Sequence, residues 1–64
     1  MKFGERLKFL RKNMSQKRLG EIVGVSASTI AKYESGMTKP SLKVAIKIAK
    51  VFNVKLDYLA GLVD

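Results

Sequence analysis

The chain has 64 residues, with thirteen lysines and arginines against five acids, a net charge of +8 and a pI near 10.1. It contains neither cysteine nor histidine, which excludes zinc fingers, disulfide scaffolds, most transition-metal sites and thiol or imidazole catalysis. No run of about 18 apolar residues is present to span a membrane. The opening residues Met1-Lys2-Phe3-Gly4-Glu5-Arg6 carry charge where a signal peptide needs an apolar stretch, so the expected compartment is cytoplasmic. A hydrophobic fraction of 47% is too high for a disordered basic tail. The excess positive charge opposes folding through self-repulsion, and a polyanionic partner is the plain physical reason to keep it.

Five short helices are expected in chain order, within a single domain spanning residues 1–64. The first runs from Phe3 to Lys12, with Phe3, Leu7, Leu10 and Met14 on one face at spacings of four and three and Phe9 off that stripe. The second starts at Ser15, an N-cap residue, and turns Leu19, Ile22 and Val23 inward until Gly24 stops it. Ser26 caps the third, whose inner face carries Ile30, Tyr33 and Glu34, while Ser28, Ala31, Lys32 and Ser35 face away. Gly36 ends it, and residues 37–40 form a loop. The fourth helix, Ser41 to Phe52, has a narrow polar stripe of Lys43, Lys47 and Lys50 that reads as its solvated face. The rest of that helix is apolar, an arc wide enough to predict packing on more than one side and a place at the centre of the fold. Asn53 interrupts, and a fifth helix follows from Leu56 to Leu62. No stretch alternates convincingly as a strand, so the class is all-α.

Residues 16–35 hold the most specific pattern. Two short helices are joined by Gly24-Val25-Ser26, with small Gly20 where the helices must cross closely. Gly24 tolerates the positive φ of a tight turn. Val25 plugs the gap between the helices, and Ile30 and Tyr33 pin the second helix to the body. These offsets together specify a helix-turn-helix.

The whole chain, from Phe3 to Gly61, resembles the phage repressor and Cro (Xre) type of helix-turn-helix domain. The resemblance rests on Leu10-Arg11, Ser15-Gln16, Leu19-Gly20, Gly24-Val25-Ser26, Ser28-Thr29-Ile30, Tyr33-Glu34-Ser35-Gly36, Lys39-Pro40-Ser41, Ile48-Ala49 and Leu56-Asp57-Tyr58-Leu59. It implies a compact five-helix, lambda-repressor-like domain. Two departures stand out. The family usually has Ala at the position of Gly20, where Gly loosens the helix by up to about 1 kcal/mol. It also usually has a longer connection between its Leu-Arg and Ser-Gln pairs, so the first turn here must be tighter.

A helix-turn-helix places the N-terminal half of its second helix in the major groove. Ala27, Ser28, Thr29 and Lys32 are then the base-reading residues. None is Arg, Asn or Gln, so phosphate contacts and DNA shape are expected to carry much of the affinity. Gln16, Lys17, Ser35, Thr38, Lys39 and Ser41 are the expected phosphate contacts, Gln16 and Ser41 lying at helix N-termini that favour anions. The resemblance further implies a partly buried ion pair between Arg11 and Glu34. It also implies a homodimer on a pseudo-palindromic double-stranded operator, with Leu56, Tyr58, Leu62 and Val63 at the interface and Leu59 in the monomer core.

The function expected is sequence-specific DNA binding by a small transcriptional regulator, repression being favoured over activation. No cofactor, metal or membrane partner is expected, and no separate sensing domain after Asp64. An antitoxin or other module binding a partner protein is the alternative, to be distinguished by co-purification of a second chain. The glycine stops leave no single long amphipathic helix for a membrane-active peptide, and the five acids make no catalytic set for an enzyme.

Overall fold

The computed structural model describes residues 3–62 and contains five helices: α1 (Phe3–Arg11), α2 (Gln16–Val23), α3 (Ala27–Ser35), α4 (Leu42–Val51) and α5 (Leu56–Leu59). Three of the starts are set by serine. Ser15, Ser26 and Ser41 each hold an extended backbone and accept a hydrogen bond on the hydroxyl from the N–H three residues on, which satisfies one otherwise orphaned donor of the first turn. Gly24 and Gly36 close α2 and α3 in the left-handed conformation, at φ 85° and 82°.

The core consists of Leu7, Leu19, Val23, Ile30, Tyr33, Ile48, Ala49 and Leu59, with Phe3, Leu10, Met14, Val25, Val44, Val51, Phe52 and Val54 packed around it. Its centre is α3, which packs mainly against α1 and α2. The expectation that α4 occupies the centre is therefore corrected. Only Ile48 and Ala49 of α4 are buried, while Leu42 and Ile46 are 67% and 38% exposed. The reason is rotation. At 100° per residue, Val44, Ile48, Ala49 and Val51 occupy the arc of α4 that meets the core, and Leu42 and Ile46 begin the arc that turns away from it. The fifth helix also ends earlier than its apolar residues suggested, at Leu59 rather than Leu62.

One further expectation changes in detail. Ile22 lies on the rim of α2 at 42% exposure, because the inner face of that helix turns toward Gly20, Leu19 and Val23. The turn after α1 is as tight as its short connection demands. Helix α1 stops at Arg11, and Lys12 takes a left-handed φ of 48°. The Met14 N–H then donates to Arg11 O at 2.8 Å, and Arg11 Nη1 donates to Met14 O at 2.7 Å.

Candidate nucleic-acid interface

The interface is built outward from the turn between α2 and α3. Gly20 lies against the turn, where a Cβ would run into the backbone carbonyl of Val25. The Val25 N–H donates back to Gly20 O at 2.9 Å, and the half-buried Val25 packs on the core. Burial of Ile30 and Tyr33 fixes the rotation of α3 about its axis. That rotation leaves Ser28 and Lys32 exposed, with Ala27 and Thr29 half-buried. The Thr29 hydroxyl is 2.9 Å from that of Ser26, and Ser26 also receives the Thr29 N–H. One hydrogen-bonding position of the Thr29 hydroxyl is therefore taken up at the start of α3, which leaves its remaining capacity for other partners.

On the far side of α3, Ser35 donates to Lys32 O at 3.1 Å, and the same carbonyl accepts from the N–H groups of Met37 and Thr38. These bonds shape the loop that displays Thr38 and Lys39, both exposed. The Ser41 hydroxyl caps α4 by accepting from Val44 N at 3.3 Å. Lys17 is exposed in the first turn of α2.

Gln16 and the pair Arg11 and Glu34 meet in one network. Arg11 Nε donates to Glu34 Oε2 at 2.6 Å and Arg11 Nη2 to Glu34 Oε1 at 3.1 Å. Gln16 Nε2 donates to the same Oε1 at 3.0 Å. Three helix segments, the end of α1, the start of α2 and the end of α3, are thereby tied through one carboxylate. Burial pushes the Glu34 carboxyl up. The hydrogen bonds from Arg11 and Gln16, with the charges of Arg11 and Lys8, outweigh it and hold the group below its ordinary value. The same hydrogen bond holds the Arg11 guanidinium above its ordinary value. The amide of Gln16 is thus anchored at the N-terminus of α2, with one of its two N–H bonds engaged.

Of the residues expected at a dimer interface, Leu56 lines a cleft with Phe3, Pro40, Ala45, Leu59 and Ala60. The Tyr58 ring lies under the Arg6 guanidinium at 4.3 Å, and Leu62 is 76% exposed. Val63 lies outside the described residues. Two residues that shape this architecture escaped the sequence reading. Arg6 is buried and donates from Nη1 to Tyr58 O, joining α1 to α5. Its spacing of three from Phe3 and four from Leu10 places it on the apolar face of α1 and was the available signal. Gly4 is the second: a Cβ there would meet the backbone carbonyls of Tyr33 and Glu34, so α1 approaches the end of α3 at backbone distance.

Comparison with known proteins agrees with this geometry. The pattern of the family described as Helix-turn-helix matches residues 6–59. An HTH-type transcriptional regulator of Archaeoglobus fulgidus is 51% identical over 45 residues, covering 70% of this chain and 63% of that protein. The SPbeta prophage-derived HTH-type transcriptional regulator YonR of Bacillus subtilis is 39% identical over 59 residues, covering 89% of this chain and 55% of that protein. The chain thus spans less than two thirds of the length of either relative. Among solved structures, the P22 c2 repressor protein in complex with a synthetic operator superposes with a TM-score of 0.88 at 33% identity, over 92% of each chain. The matched span, the relatives and the repressor fold converge, and the chain belongs to the helix-turn-helix family of the phage repressor and Cro type.

Proposed function

We propose that this chain is a sequence-specific, double-stranded DNA-binding transcriptional regulator, acting as a repressor in the cytoplasm, with the N-terminal half of α3 in the major groove. The observation that carries the reading is the rotation of α3. Ile30 and Tyr33 are buried, and Ser28 and Lys32 on the opposite face are open to solvent. The likeness to a repressor crystallised with its operator supports it.

In this reading Ala27, Ser28, Thr29 and Lys32 meet base edges. Thr29 and Ala27 offer methyl groups to thymine, Ser28 donates or accepts, and Lys32 donates to guanine O6 and N7. Gln16, Lys17, Ser35, Thr38, Lys39 and the Ser41 end of α4 hold phosphates on either side. A single module of this size buries too little surface for tight specific binding. Two copies therefore pair through the C-terminal segment, Leu56, Tyr58, Leu62 and Val63, on a pseudo-palindromic operator.

The test is footprinting on the promoter region of the protein's own gene at two salt concentrations. The expected result is a protected pseudo-palindrome that survives the higher salt. Equal, salt-labile protection of any duplex overturns the reading.

A further inference from the structure

The face of α4 turned away from the core has its own chemistry. At 100° per residue, Leu42, Ile46, Lys50, Lys43 and Lys47 succeed one another across a single arc of about 140°. All five are exposed. One edge of the arc is apolar and the other cationic. Among the described residues, none of the three lysines has an acidic partner within ion-pair distance. A solvated lysine stripe needs no leucine and isoleucine beside it, and an isolated apolar pair needs no lysines. Their adjacency describes a surface with two complementary halves.

We propose that this face of α4 is a docking site for an acidic amphipathic helix of a partner protein, whose apolar side chains cover Leu42 and Ile46 and whose carboxylates meet Lys43, Lys47 and Lys50. Charge complementarity selects the occupant. A second copy of the chain laid on the same face sets lysine against lysine, which opposes pairing. Phosphates of a nucleic acid satisfy the lysines but leave the two apolar side chains nothing to bury. Two apolar residues are also too few to enter a bilayer. An acidic helix with apolar residues at spacings of three and four satisfies both halves at once. Five side chains are far fewer than the roughly 20–30 residues a side of a standard interface, so the contact is transient and steered by charge.

The test uses an isotope-labelled chain and a synthetic helical peptide with leucines at i, i+3, i+4 and i+7 flanked by glutamates. Amide shift changes confined to residues 42–50 are expected on titration. Lys47→Glu with Lys50→Glu should weaken the peptide about tenfold, and Leu42→Ser several-fold, with the thermal midpoints of the variants near that of the parent. Three results overturn the proposal: no change at α4, equal binding of a scrambled peptide of the same composition, or insensitivity to Leu42→Ser. A fourth is that duplex DNA, rather than the peptide, shifts residues 47 and 50 and is weakened by the charge reversals. The stripe is then a phosphate contact. None of these outcomes touches the reading head on α3.

Discussion

At the residue scale, one carboxylate decides how α3 is held. Glu34 gathers Arg11 and Gln16 with its side chain only 6% exposed, so deleting it leaves a cation poorly solvated. Glu34→Ala is expected to lower unfolding free energy by about 3 kcal/mol, measured by urea denaturation. The acid dependence follows from the lowered carboxyl. Because the folded value lies below the ordinary value of 4.5, the network's contribution is complete above that value and is lost as pH falls through the folded one. Thermal midpoints should therefore drop on acidification, and the drop should be shallower in Glu34→Gln. An identical drop in both proteins contradicts this role. Gly20 is the other decisive residue. Helix propensity alone makes Gly20→Ala stabilising by up to about 1 kcal/mol, but the added Cβ collides with the Val25 carbonyl. The variant is expected to be less stable than the parent, and a raised thermal midpoint would show that the turn yields easily.

At the scale of elements, the punctuation of the chain was legible. The three serine caps and the Gly24 and Gly36 stops are strong local signals because each acts through its own backbone or its nearest N–H groups. Ser26→Ala removes the cap of α3 and should cost about 1 kcal/mol. The resulting fraying lies next to Ser28, so operator affinity should fall with stability. What periodicity could not give was which apolar residues find a neighbour. Leu42, Ile46 and Ile22 look like core residues by type, yet the rotations of α4 and α2 leave them at the surface. The burial of Arg6 is the converse case: a charged residue on an apolar face, accommodated by the Tyr58 ring and carbonyl. Close backbone approach at Gly4 also depends on a partner distant in sequence, and no local pattern announces it. The joining of Arg11 to Glu34 was legible only through the likeness to a known family, since nothing in the spacing of two charges twenty-three residues apart brings them together.

For the molecule as a whole, the proposed function divides the work of binding between the excess of positive charge and the exposed front of α3. In the reading proposed above, charge attracts any duplex and is screened by salt, whereas the side chains of α3 distinguish one sequence from another. Lys39→Ala is accordingly expected to weaken all sequences alike and to reduce the salt slope by about 1, while Lys32→Ala should narrow the ratio of operator to random-duplex affinity. The reverse ranking would move the reading face elsewhere. A more direct measurement is available because the chain has no cysteine. A Ser28→Cys variant can carry a single tethered iron chelate that cuts DNA where it lies. If α3 enters the major groove, cleavage will be confined to a few nucleotides at the centre of each half-site and related by two-fold symmetry. If the protein protects its operator while the chelate cuts nowhere, or cuts evenly along the duplex, then α3 does not read DNA.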